Sequence, residues 1–259
     1  MATPPVTRAP QPQRIRLTLD DGAATTAHVV VHRLARTELR VERLPGLTQL
    51  ETWCREEGVG EAIVGGFYVR SPGTVDGPEA TGLPLGELRI GGKPLPSVPF
   101  VEPWDARRAC VHVAGGVVRI ARRDALPAEP AGALLQAGPL LVRDGEIVGG
   151  DEEGFSSGAG QFDSDITAGR YPRAALGLSA DRLIALVCDG REDGEAGLTM
   201  SELARAMAAL GAQAALNLDG GGSASLVCGG RLCNVPRESH AMAIPGGRAI
   251  ATALTFRPR

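Results

Sequence analysis

Leu183-Ile184-Ala185-Leu186-Val187-Cys188-Asp189-Gly190-Arg191 is an apolar run that ends in an acid, a glycine and a base. An apolar run of this length, closed by a turn signal, reads as a strand buried on both faces. Further on, Ala214-Ala215-Leu216-Asn217-Leu218-Asp219-Gly220-Gly221-Gly222-Ser223 repeats the arrangement of an apolar strand followed by Asp-Gly. Between the two, Leu198-Thr199-Met200-Ser201-Glu202-Leu203 opens a helix. Thr199 suits the N-cap, Glu202 the third helical position of a capping box, and Leu198 with Leu203 a hydrophobic staple. Leu203, Met207 and Leu210 mark one apolar face, and Gly211 fits the position just past the helix end. Strand, helix, strand predicts a βαβ unit whose two strands are parallel and joined by a right-handed crossover. Parallel strands finish at one edge of a sheet, so Asp189, Arg191, Asn217 and Asp219 are expected to meet in a single crevice.

Outward from this unit the chain reads as short strands and turns. Ile15, Leu17 and Leu19 alternate with polar residues, Asp21-Gly22 turns the chain, and residues 28–32 continue as a second strand, so a hairpin is expected. A third strand is expected over 39–44, and a short helix carrying Leu47, Leu50 and Trp53 should end at Gly58. Ala62-Ile63-Val64-Gly65-Gly66-Phe67-Tyr68-Val69 is a strand interrupted by two glycines, the mark of a bulge or a close backbone approach. A hairpin should turn at Gly115-Gly116, and residues 151–170, rich in Gly, Ser and Asp, read as a binding loop or lid. The whole predicts a single α+β domain over residues 14–259: a mixed, largely β framework with a central βαβ unit and few short helices. Residues 1–13, rich in proline, read as a disordered tail.

Composition narrows the function. The 259 residues include 35 glycines and 19 prolines, which favours turns over long helices. Aromatic residues make up 3% and the net charge is −3, poor material for a base-stacking platform or an anionic membrane surface, so neither nucleic acid nor membrane is an expected partner. The apolar runs fall well short of the roughly 20 residues needed to cross a bilayer. Pro4, Pro5, Pro10 and Pro12 interrupt any signal-peptide core, and five cysteines without a C-x-x-C fit a reducing compartment, so a cytoplasmic location is expected. Cys228 and Cys233 bracket a Gly229-Gly230 turn, and His28 and His32 read as strand residues rather than metal ligands.

The stretch from Asn217 to Ser223 carries the chemistry. Three successive glycines allow backbone N–H groups to form an anion-binding nest, above all for phosphate, although no Gly-Lys-Ser/Thr follows to make a P-loop. Here the chain resembles the phosphodiester glycosidases over about residues 60–256. The matching segments are Gly65-Gly66-Phe67-Tyr68, Ala137-Gly138-Pro139-Leu140, Pro172-Arg173-Ala174-Ala175-Leu176-Gly177, Cys188-Asp189-Gly190-Arg191, the helix start from Gly197 to Ala204, and Ala215 to Ser223. Arg248 also fits the pattern. The chain departs from it at Val64 and Thr252, where the family usually carries asparagine.

The resemblance implies a hydrolase that cleaves the glycosidic bond of a sugar-1-phosphodiester, with a small-molecule or glycan sugar phosphate as substrate. A phosphate monoester leaves readily. The reaction therefore needs chiefly a carboxylate to stabilise or attack the anomeric carbon and cations to hold the phosphate. Asp219 and Asp189 are the candidate carboxylates, with Glu202 behind them because its capping position already accounts for it. Arg173 and Arg191 are the candidate phosphate ligands, helped by the Gly220, Gly221, Gly222 and Ser223 nest. Asn217, Gly66, Phe67, Gly138 and Arg248 complete the expected substrate-binding set. No cofactor is expected. Two other readings remain: a non-catalytic anion or sugar-phosphate binding module of the same fold, and a metal-dependent phosphodiesterase in which Asp163 and Asp165 join Asp189 around a divalent cation.

Overall fold

A computed structural model describes residues 11–70, 81–148 and 169–259. The chain opens on the expected hairpin, β1 (Gln13–Thr18) and β2 (Ala24–Arg33), paired from Gln13↔Val29 to Thr18↔Ala24. Residues 1–10 of the expected tail lie outside the described residues, and Gln13, its last residue, already belongs to β1. Next come β3 (Thr37–Thr48), α1 (Leu50–Glu56), β4 (Ala62–Val64) and β5 (Tyr68–Arg70). The middle supplies β6 (Gly82–Pro84), β7 (Leu88–Ile90), β8 (Lys93–Pro94), α2 (Trp104–Arg107), β9 (Ala109–Ala114), β10 (Val117–Arg122), β11 (Ala133–Gln136), β12 (Leu140–Arg143) and β13 (Glu146–Ile147). The last third contains β14 (Arg173–Leu178), β15 (Arg182–Cys188), α3 (Met200–Ala209), β16 (Ala214–Asn217), β17 (Leu226–Cys228), β18 (Arg231–Leu232) and β19 (Ile250–Pro258). Most of the expected binding loop, residues 151–168, lies outside the described residues.

Among the described residues the strands form a seven-stranded sheet in the order β1-β2-β15-β14-β16-β12-β13, two five-stranded sheets, β10-β9-β11-β7-β8 and β18-β17-β4-β19-β3, and the pair β5-β6. This is a largely β, single domain with few short helices. The expected parallel pair is not formed. β14 lies between β15 and β16 and is antiparallel to both, from Arg173↔Cys188 to Leu178↔Leu183 on one side and from Ala175↔Asn217 to Leu178↔Ala214 on the other. Both edges of β15 are taken, one by β14 through the tight hairpin closed at residues 179–181 and the other by β2, so the crossover through α3 has to add its strand beyond β14. β15 and β16 still share a direction, so Asp189 and Asp219 both follow strands that end at the same edge.

Alternation along these strands builds the core. Leu176, Ala185, Leu216 and Leu218 face the main cluster, which also takes Ile63, Val111, Leu135, Leu226 and Leu254 from the two five-stranded sheets. Ala175, Ile184, Leu186 and Ala215 face the other way, onto Leu198, Leu203 and Met207 of the α3 segment. α3 begins with the expected capping box: the Glu202 N–H donates to Thr199 Oγ1 (3.2 Å) and the Thr199 N–H to Glu202 Oε2 (2.9 Å). Leu203 and Met207 are fully buried, each worth roughly 1.5–3 kcal/mol, and Gly211 takes φ +84 just past the helix. Among the described residues no helix is long and apolar enough to cross a membrane.

Candidate active site at the end of β16

β16 delivers Asp219 to the sheet edge with 8% of its surface exposed. Its N–H donates to Gly65 O (3.0 Å), and its Oδ1 accepts the Gly220 N–H (2.8 Å). Burial pushes the Asp219 carboxyl up to about 6, while the Arg248 charge, the Ser223 hydroxyl and the Gly220 N–H pull the other way. Arg248 is anchored beside it, because its N–H donates to Gly222 O (2.8 Å).

Arg248 and Glu238 stand beside Asp219, and Glu238 links them to a second guanidinium, Arg191, which lies against Gly221. Arg248 Nε donates to Glu238 Oε1 (2.7 Å), its Nη2 bonds the same oxygen, and Glu238 Oε2 lies 3.7 Å from Arg191 Nη1. Arg191 holds φ +61, left-handed backbone for a non-glycine residue, and its Nη1 donates to Arg237 O (3.1 Å). The Tyr171 ring lies 5.1 Å from the Arg191 guanidinium carbon and 5.2 Å from that of Arg173, a contact that fixes both planes. Tyr68 feels the Asp219 and Arg248 charges as well, and burial raises its hydroxyl above the ordinary value.

The glycine loop works differently from the expected nest. Three of its four N–H groups already donate inside the protein: Gly220 to Asp219 Oδ1, Gly221 to Pro172 O (2.8 Å) and Ser223 to Gly220 O (3.1 Å). What the glycines supply is close approach. A Cβ at Gly220 would lie 2.9 Å from Pro172 O, one at Gly222 2.8 Å from Glu238 Oε1, and one at Gly221 3.3 Å from Arg191 Nη1. The loop is thus bare so that the charged groups can lie against it.

Other expected site residues hold the frame. The Asp189 carboxylate takes the His28 Nε2–H at 2.7 Å on one oxygen and the Val235 N–H at 2.9 Å on the other. Glu202 is occupied by its capping box and by Arg170, whose Nη2 donates at 2.6 Å and which also bonds Asp21. The net effect of burial and these partners is a Glu202 carboxyl below the usual range. Arg173 is 1% exposed and donates to Leu198 O and Gly169 O, both at 3.0 Å, so this guanidinium lies buried against backbone carbonyls. Asn217 Nδ2 donates to Leu218 O (2.7 Å), and Gly138 packs beneath it with its N–H on Asn217 O (3.0 Å). The Gly66 N–H donates to Thr252 Oγ1 (3.0 Å), and Phe67 sits in a separate cluster with Leu85 and Phe100. Val64 lies opposite Ala253 across the β4–β19 ladder, so the two departures from the family pattern, Val64 and Thr252, are neighbours behind Gly65.

The structure therefore gathers Asp219, Arg191, Arg248 and the Gly220–Ser223 loop, and adds three residues the sequence reading missed: Glu238, Tyr171 and Tyr68. Tyr68 lies inside the Gly65–Tyr68 segment and Tyr171 borders the Pro172–Gly177 segment, whereas the segment holding Glu238 has no periodicity that would single it out. Asp163 and Asp165 lie outside the described residues, among which no group of three or more His, Cys, Asp or Glu is placed to hold a metal. A cavity of about 550 Å³ lined by Glu87, Asp105, Arg123 and Gln136 shares no residue with the Asp219 cluster. We place the site at Asp219 because a buried carboxylate, Arg248 and the Glu238–Arg191 pair line one glycine loop.

A sequence search of curated proteins finds no match. Solved structures do match. The zebrafish N-acetylglucosamine-1-phosphodiester alpha-N-acetylglucosaminidase catalytic domain, auto-inhibited by its pro-peptide, is similar over 98% of this chain and 85% of its own, with a TM-score of 0.67 and 19% identity. An exported protein of Burkholderia pseudomallei K96243, its assignment provisional in its description, is similar over 92% of this chain and 74% of its own (TM-score 0.66, 15% identity). A hypothetical protein from Synechocystis is similar over 97% of this chain (TM-score 0.63, 18% identity), which spans 62% of that protein. At these identities the likeness shows a shared fold. The sequence model of one family matches residues 57–257, more than half of the chain, and with it the fold agrees: the chain belongs to the phosphodiester glycosidase family.

Proposed function

We propose that this protein hydrolyses the glycosidic C–O bond of a sugar-1-phosphodiester, with Asp219 as the carboxylate that faces the anomeric carbon and Arg191 and Arg248 as the cations that hold the phosphate. The observation that carries this reading is the buried Asp219 beside Arg248, at a loop that lacks side chains. As the C–O bond breaks, positive charge develops on the sugar and the bonding electrons leave with the phosphate oxygen. A carboxylate on one side and guanidinium groups on the other match that separation of charge. Water then supplies the oxygen that ends on the sugar. Asp189 and Glu202 act here as supports, since hydrogen bonds already occupy their carboxylates.

Turnover of a sugar-1-phosphodiester in oxygen-18 water tests the reading. Label in the sugar is expected. Label in the phosphate would mean P–O cleavage by a phosphodiesterase, and no turnover across a broad panel of sugars would leave an anion-binding module.

A further inference from the structure

We infer that Glu238 makes this site select singly charged phosphodiesters against doubly charged phosphate monoesters. The inference rests on the reading of Arg191 and Arg248 as the phosphate-holding pair, and it assigns a specificity role to a residue that the reaction itself does not require.

The argument is a count of charge and of free donors. Arg191 and Arg248 bring two positive charges to the cluster, while Glu238 and ionised Asp219 bring two negative ones. Glu238 engages one edge of each guanidinium: Oε1 accepts from Arg248, and Oε2 faces Arg191 Nη1 at 3.7 Å. Among the described residues, Arg248 Nη1 and Arg191 Nε and Nη2 have no acceptor, so donors remain for an incoming anion. Other cations nearby are already engaged: Arg237 pairs with Glu192, and Arg170 with Asp21 and Glu202. A phosphodiester carries one negative charge and can use the free donors. A monoester above its second pKa, about 6, carries two, and the second meets the carboxylates of Glu238 and Asp219. The side chains of Glu238, Arg191 and Arg248 are only 26%, 20% and 31% exposed, so solvent screens this repulsion incompletely.

The consequence concerns turnover as well as choice of substrate. Cleavage at C–O converts a bound monoanion into a monoester that becomes a dianion at neutral pH. The same repulsion that rejects monoesters as ligands then helps to expel the product.

Binding of methyl phosphate and dimethyl phosphate to the full chain at pH 8, measured by calorimetry, tests the inference without relying on turnover. The wild-type protein should bind dimethyl phosphate more tightly. Glu238→Gln should tighten methyl phosphate by about tenfold and dimethyl phosphate by only about threefold, because the lost repulsion scales with ligand charge. Glu238→Ser should give the same ratio and covers the case in which the glutamine variant folds poorly. Equal tightening of the two ligands, or weakening of both, would overturn the inference. Failure of every form to bind either ligand would overturn it together with the phosphate-holding role of the arginines. Selective tightening combined with oxygen-18 label in the phosphate would uphold the role of Glu238 and remove only the glycosidase reading.

Discussion

His28 Nε2 lies 2.7 Å from the Asp189 carboxylate, and the pair is buried where β2 meets the end of β15. The second Asp189 oxygen holds the Val235 N–H, on the segment that runs on to Glu238. This carboxylate therefore ties the seven-stranded sheet to the loop carrying Glu238. Asp189→Ala should destabilise the fold by about 3–5 kcal/mol, because it strips a buried imidazole and an amide of their acceptor. Denaturant unfolding measures it. A loss below about 1 kcal/mol would show that the pair does not hold the frame.

Glu202 gives a contrasting case. Thr199→Ala should cost about 1 kcal/mol through the lost cap, and Glu202→Gln a similar amount through the weakened Arg170 pair. Neither should lower kcat more than a few-fold. A hundredfold fall in Glu202→Gln with its melting temperature unchanged would restore Glu202 to the chemistry.

The sequence disclosed what depends on neighbours along the chain. The Thr199–Glu202 capping box, the Asp21-Gly22 hairpin and the buried strand leading to Asp189 all rest on spacing within a few residues, and the structure contains each. Sheet order rests on competition between distant segments. The Arg173–Leu178 stretch was legible as a motif and not as the strand that would enter between β15 and β16. The same limit hid Glu238, which gains its meaning only when residues 234–247 fold back onto the glycine loop. The burial of Arg173 is of the same kind, since it follows from Leu198 and Gly169 closing over the start of β14.

Gly65 offers a steric test beside the site. A Cβ there would lie 2.4 Å from Thr252 Oγ1 and 2.8 Å from both Thr252 C and O. Gly65→Ala should therefore destabilise by about 3 kcal/mol or more, since β4 and β19 would have to part. Adding Thr252→Ala removes the hydroxyl clash and leaves the backbone clash, so rescue should be partial. Full recovery of the melting temperature in the double variant would show that the hydroxyl alone sets the limit.

Asp219→Asn should separate activity from stability. The folded protein holds this carboxyl at about 6 against an ordinary 3.8, so the group favours folding in its protonated form. That contribution is fully present below 3.8 and is lost as pH rises through about 6, at a cost of about 3 kcal/mol by pH 8. Asparagine keeps an oxygen to accept the Gly220 N–H and carries no charge to desolvate. The variant should thus be more stable than the wild type at pH 8, by an amount approaching that figure, with the advantage roughly halved at pH 5. Its turnover should nevertheless fall about a thousandfold or more, close to 4 kcal/mol of barrier, because an amide cannot stabilise a developing oxocarbenium ion. In the wild type, kcat/KM should rise with pH and level off above about 6, as the carboxylate forms. A profile that instead falls above 6 would make Asp219 the proton donor. An asparagine variant retaining more than about a tenth of wild-type kcat would take the reaction away from this residue altogether.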